Sequence, residues 1–322
     1  MQPGALADAR RLLSRYLAKT RLARVNSLER NPEQEVHLKL ESELPTGSFK
    51  VRGALYALGV QMERKNVREV VASSTGNHGA AVAYAAKLFG RKSRIFLPEK
   101  CNPLKRANIA RLGAEIVEKG SADLAAAFEA ASEYAQEHEA YFLNDATDVD
   151  LPAGPGTIAC EIFEQLPEVD AIYVPMGDTA LIRGVAEAAK QISSTVKIIG
   201  VQSERAPSYF LSWKEGRAIE TDTCDTIADG LATRTPVAAN VAAIRELVDE
   251  IVLVSEEEML SAIGRLLIEE HVVAEPAGAA ATAGFLQGEQ AGRKVVLLVT
   301  GANVTAHIMK RAIATIRPRS RA

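Results

Sequence analysis

Short runs of β-branched and aliphatic residues alternate along the chain with longer alanine-rich stretches whose apolar positions recur every three to four residues. The apolar runs fall at 70–73, 94–97, 115–117, 171–175, 197–202, 251–254 and 295–299. Between most of them lie helical patterns, at 77–89, 103–112, 122–137, 179–191 and 256–270. A strand followed by a helix, repeated in this way, predicts an α/β protein with parallel sheets and helices on both faces. No internal repeat or low-complexity linker interrupts the pattern.

Composition narrows the class without choosing a function. At 322 residues the chain is long enough for two domains or one large α/β unit. A net charge of −3 gives no electrostatic case for binding nucleic acid or an anionic membrane. The basic end Arg317-Pro318-Arg319-Ser320-Arg321 reads as a solvated tail. Cys101, Cys160 and Cys224 have neither metal nor redox spacing and read as idle thiols in a reducing compartment. Charges break every apolar stretch in the first twenty residues, and no run of about 18 apolar residues occurs, so neither a signal peptide nor a membrane span is expected. A cytoplasmic, enzyme-sized protein is the expectation.

The candidate chemistry begins at Pro45-Thr46-Gly47-Ser48-Phe49-Lys50-Val51-Arg52-Gly53-Ala54. A lysine in a Gly/Ser turn at a predicted helix start is an unusual structural choice, because a desolvated ammonium is costly unless paired or neutralised. A neutral lysine is a nucleophile able to form a Schiff base. A second Gly-rich turn, Ser73-Ser74-Thr75-Gly76-Asn77-His78-Gly79, follows a strand and opens a helix, so its backbone amides suit an anion. A third, Met176-Gly177-Asp178-Thr179-Ala180-Leu181, repeats that strand–turn–helix arrangement and suits a phosphate.

These segments resemble the fold-type II pyridoxal-phosphate enzymes, and within them the serine/threonine dehydratase and serine racemase branch. Ser74-Thr75-Gly76-Asn77 is also similar to threonine synthase, but Val51-Arg52 suits the dehydratases better. The resemblance implies two three-layer α/β/α domains: a large cofactor-binding domain of residues 1–59 and 147–322, with residues 60–146 inserted as a small one. It implies that Lys50 carries pyridoxal 5′-phosphate as a Schiff base and later takes the substrate's Cα proton, with Phe49 packed beside the ring. Ser74, Thr75, Gly76, Asn77 and His78 would hold the substrate, Asn77 also bonding the ring's 3-hydroxyl oxygen. Gly177, Asp178, Thr179, Ala180 and Leu181 would hold the phosphate. Thr300, in Val299-Thr300-Gly301-Ala302-Asn303, would bond the pyridine nitrogen, and Glu275 would lie near the ring. An alcohol at that nitrogen leaves the ring a poorer electron sink, which favours β-elimination over transamination.

The implied activity is elimination from an L-β-hydroxy amino acid such as serine or threonine, giving a 2-keto acid and ammonia. Hydroxyaspartate and aryl-serines stay open as substrates, and a homodimer is implied. Two alternatives remain: an amino-acid racemase using Lys50 and Thr75 on opposite ring faces, and a non-catalytic relative that binds the cofactor or an amino acid. The chain departs from the family at three places. Relatives carry three or four glycines in the phosphate loop, whereas only Gly177 survives here, and a carboxylate at Asp178 facing a phosphate would repel it unless it turns away to cap the helix. Gly154-Pro155-Gly156-Thr157 has proline where the family has glutamine, and the preceding loop, 144–152, reads as longer than usual and adjacent to the substrate side chain. Gln202, Ala206 and Ser208 stand where some relatives hold a divalent cation; lacking carboxylates, they predict no metal there. The short stretch after Thr300 leaves no regulatory domain to be expected.

Overall fold

The computed structural model describes residues 1–74, 76–99, 103–120, 124–288 and 292–316. Thr75, Cys101, residues 122–123 of one helical pattern and the basic end 317–321 lie outside them. In chain order the elements are α1 (Ala5–Leu13), β1 (Leu22–Arg24), β2 (Glu35–Leu40), α2 (Lys50–Arg64), β3 (Glu69–Ser73), α3 (Asn77–Leu88), β4 (Lys92–Leu97), α4 (Pro103–Arg111), β5 (Glu115–Glu118), α5 (Leu124–Glu137) and β6 (Tyr141–Phe142). There follow α6 (Ala153–Gln165), β7 (Ala171–Pro175), α7 (Ala180–Ile192), β8 (Lys197–Ser203), α8 (Ser208–Glu215), α9 (Ala238–Leu247), β9 (Glu250–Val254), α10 (Glu256–Glu270), α11 (Pro276–Gln287), β10 (Lys294–Val299) and α12 (Ala306–Ala314). Every predicted apolar run became a strand, and every predicted helical pattern a helix, within two or three residues.

Two units share these elements. One comprises residues 1–18 and 44–157, the other residues 19–43 and 158–322. These boundaries differ from the expected 1–59 with 147–322 against 60–146. The physical reason is α2, which packs along α3 and α1. Gly59 of α2 meets Leu12 of α1 so closely that an added Cβ would lie 2.6 Å from a Leu12 methyl. The lysine-bearing helix therefore belongs to the smaller unit.

That unit is built on a parallel sheet ordered β5-β4-β3-β6. Val71 and Phe96 from the sheet bury against Ala127, Ala131 and Ala135 of α5. Removing such apolar surface from water supplies about 25 cal/mol per Å².

The second unit carries the order β1-β2-β10-β7-β8-β9, parallel throughout except for β1, which runs antiparallel to β2 at the edge. Its core joins Leu38, Leu40, Val201, Leu297 and Ile263, with Tyr173 edge-on to Phe285 at 5.6 Å. Strand β2 also buries Lys39 completely. The ammonium donates to Glu161 Oε2 (2.7 Å), the Thr20 carbonyl (2.8 Å) and Gln165 Oε1 (2.9 Å), which satisfies all three of its hydrogens. Helix α10 starts in a reciprocal capping box between Ser255 and Glu258. No described helix is long and apolar enough to cross a membrane.

Candidate active site

Lys50 is the first residue of α2, entered through Gly47, whose φ of +69° favours glycine. Its first turn is clamped from behind. Arg52, buried, donates to Thr157 Oγ1 at 3.0 Å, and Thr157 in turn donates to the Gly154 carbonyl at 2.6 Å. A Cβ on Gly154 would stand 2.4 Å from the Arg52 carbonyl oxygen, so only glycine permits this approach. Lys50 Nζ, half-buried, lies 5.5 Å from the Phe49 ring centroid and donates to Asp145 Oδ2 at 2.7 Å. Burial opposes ionisation of Asp145, but the Lys50 ammonium overrides it and holds the carboxyl well below the usual carboxylate range.

The turn after β3 places Ser74, Gly76, Asn77 and His78 together at the start of α3. Gly79 keeps it tight, since a Cβ there would lie 2.6 Å from the Ser74 carbonyl. One amide expected to face outward does not, since Gly76 N–H donates to Ser74 Oγ at 3.3 Å. His78 is buried, and its Nε2 donates to the Leu143 carbonyl at 2.8 Å. That bond fixes the tautomer, leaving Nδ1 as a buried atom without a hydrogen-bond partner among the described residues, 4.0 Å from Asp145 Oδ2. Burial lowers the imidazole's pKa, so His78 is neutral at pH 7.

In the other unit, β7 ends at Pro175 and α7 begins at Ala180. The turn between them solves its glycine shortage with side chains. Gly177 has no alternative: a Cβ there would lie 2.2 Å from the Gly230 carbonyl. Asp178 Oδ1 accepts from Thr233 Oγ1 at 3.0 Å, and the N-cap position itself falls to Thr179. Thr179 occupies the N-cap in a left-handed conformation, φ +69°, which costs a β-branched residue about 1–2 kcal/mol. Its hydroxyl accepts from Arg183 Nε at 3.1 Å, one helical turn on. Ala180 and Leu181 complete the first turn, whose leading amides have no helical acceptor.

Arg183 is the residue sequence reasoning missed in this unit. Burial lowers its pKa, and Nη2 is a buried donor with no partner among the described residues. An orphan guanidinium hydrogen beside a helix N-terminus fits an anionic phosphate. The only available signal was a cation one turn into a helix whose loop had lost its glycines. Asp145 escapes sequence reasoning for a different reason: the 144–152 loop stands out by its length and not by any one carboxylate.

The C-terminal ends of β10 and β7 are neighbours in this sheet, and ligands of open α/β sheets bind outside such ends. Thr300 follows β10, buried, with Oγ1 3.4 Å from the Ala277 carbonyl. Glu275 is the N-cap of α11, its own N–H donating to the Gly301 carbonyl at 3.0 Å. Gly278 presses onto that same Gly301 oxygen, which an added Cβ would approach to 2.3 Å. Thus Glu275 and Thr300 share one corner. Gln202 Oε1 accepts from the Phe210 amide, while its Nε2 is buried without a hydrogen-bond partner among the described residues, and Ser208 Oγ donates to the Thr233 carbonyl. Among the described residues, no group of three or more His, Cys, Asp or Glu side chains is arranged for a metal.

Comparison with known proteins identifies the family. The family described as "Pyridoxal-phosphate dependent enzyme" matches residues 13–301. An L-threonine ammonia-lyase of Thermotoga maritima is 37% identical over 96% of this chain and 77% of its own. An L-threo-3-hydroxyaspartate ammonia-lyase of Saccharomyces cerevisiae is 33% identical, covering 94% and 93%. The structure of maize serine racemase superposes with a TM-score of 0.89 at 27% identity, covering 96% of both chains. A lysine at the head of α2, two strand–turn–helix junctions and a match over most of the length lead to one conclusion: the chain belongs to the pyridoxal-phosphate dependent enzymes of fold type II.

Proposed function

We propose that the protein removes water from an L-β-hydroxy amino acid, with threonine and serine as reference substrates, and releases a 2-keto acid and ammonia. The Cα proton and the β-hydroxyl leave as water; the released enamine becomes an imine, takes water back and loses ammonia. Bound pyridoxal phosphate supplies an electrophilic aldehyde carbon and an electron-withdrawing ring that acidifies the Cα–H bond. Everything else falls to this chain's own groups. Lys50 holds the cofactor covalently and, when free, takes the Cα proton. The turn of Ser74, Thr75, Gly76, Asn77 and His78 holds the substrate carboxylate, the His78 ring and the Gly76 amide being spent inside the fold, and Asn77 holds the ring hydroxyl.

The turn Gly177, Asp178, Thr179, Ala180, Leu181, joined by Arg183, holds the phosphate. Thr300 meets the ring nitrogen, with Glu275 beside it. The single observation carrying the assignment is the half-buried Lys50 Nζ at the head of α2, stapled to a buried network. Its test is Lys50→Ala: keto-acid release is expected to fall by about 10²–10⁴-fold, together with loss of the borohydride-sensitive absorbance. Undiminished turnover would sink it.

Racemisation is the second reading, supported by the resemblance to maize serine racemase. Chiral chromatography after incubation with L-serine separates the two, since a lyase leaves no D-serine. The same proposal extends to a cytoplasmic homodimer acting on a free amino acid, checked by light scattering of the holoenzyme.

A further inference from the structure

Asp145 is a carboxylate that none of the motifs accounts for, and it sits on the reacting amine. Its Oδ2 is 2.7 Å from Lys50 Nζ, and its side chain keeps 23% of its exposure. We infer that Asp145 sets the charge of the side chain this enzyme accepts: β-hydroxy amino acids with neutral or cationic side chains are taken, and those with a side-chain carboxylate are rejected. The inference rests on the role proposed above for Lys50.

A base must come within about 3–3.5 Å of the carbon it deprotonates. An oxygen hydrogen-bonded to that same nitrogen therefore lies within reach of the groups borne by Cα and Cβ. While Lys50 is an ammonium, the two charges cancel. Once Lys50 works as a neutral amine, that compensation is gone, and His78, neutral through burial, adds none. A hydroxyl or ammonium on the substrate side chain then satisfies Asp145, since an ionised carboxylate only accepts. A second carboxylate in the same partly dry space would meet it as a like charge. At a separation of about 6 Å and an effective dielectric near 20, such repulsion corresponds to about 100-fold in affinity.

The experiment measures kcat/KM of the holoenzyme for L-threonine, L-threo-3-hydroxyaspartate and L-3-hydroxyornithine, in the parent and in Asp145→Asn. The parent is expected to prefer threonine over hydroxyaspartate by about 100-fold, mainly through KM, and to accept hydroxyornithine at least as well as threonine. Asp145→Asn is expected to shrink the threonine-to-hydroxyaspartate ratio about tenfold or more and to weaken hydroxyornithine. A merely structural role would lower all three substrates alike. Dissociation constants for the unreactive L-alanine and L-aspartate, read from perturbation of the cofactor absorbance, report on the same charge without turnover. If the parent binds aspartate as tightly as alanine, or the ratio is unmoved in the variant, Asp145 does not select charge. If no substrate turns over but the binding ratio still responds to Asp145→Asn, the lyase assignment fails and the charge selection stands. Should the variant not fold, the parent's own ratios decide.

Discussion

The lysine turn and the 176–183 turn are both strand- or loop-to-helix junctions, yet they are stabilised in opposite ways. At the lysine turn, glycine does the work: Gly47 takes the left-handed conformation and Gly154 lets a second helix start lie against the Arg52 carbonyl. At 176–183 the left-handed position belongs to a threonine, and a carboxylate and a guanidinium have entered. The first turn is cheap in strain and rigid through close backbone contact. The second carries strain at Thr179 and offsets it with hydrogen bonds from Thr233 and Arg183. A strand-to-helix turn can lose its glycines when side chains take over their part in fixing its conformation.

The contrast is sharpest at Arg183. Replacing it with glutamine removes a charge-assisted donor and is expected to raise the dissociation constant for pyridoxal phosphate by about 10- to 100-fold. Titration of the cofactor-free protein by absorbance reads it, and an unchanged constant would mean that Arg183 serves the fold alone. A smaller effect separates strain from bonding at Thr179. Thr179→Gly and Thr179→Ala both lose the hydroxyl, but only glycine relieves the left-handed backbone, so the glycine variant is expected to be about 1 kcal/mol more stable by chemical denaturation. Equal stability would show that the turn is not strained.

The smallest effect concerns protons in the lysine unit. His78 has a folded pKa lowered by burial from its ordinary 6.5, so its contribution is complete above that value and is lost as pH falls. Between pH 7 and 6 it removes at most about 0.7 kcal/mol, and His78→Gln is expected to flatten that part of the stability curve. Asp145, lowered from 3.8 by Lys50 against the opposing effect of burial, gives its loss only at pH values below that.

Much of this was legible beforehand because strand and helix periods differ, and the predicted runs at 171–175 and 256–270 match β7 and α10 residue for residue. Strand β2 was not, since His37 and Lys39 break its apolar pattern while the fold buries both. The two-residue β6 is too short to carry a period, and β1 is three residues at an edge. At the site, Lys50 and the turns were readable as motifs. The Lys50–Asp145 pair spans 95 residues and Thr179's backbone angle contradicts its residue type, so neither leaves a local trace.

The segment between Leu143 and Gly154 is pegged at each end. Leu143 is tied to Val71 through its amide and to His78 through its carbonyl, while Gly154 is wedged against Arg52. The stretch in between is held as well, Asp150 by Arg64 and Asp148 by Tyr141 and the Leu151 amide, so Asp145 reaches Lys50 from a loop anchored at several points and a change in any of these anchors is felt at that amine.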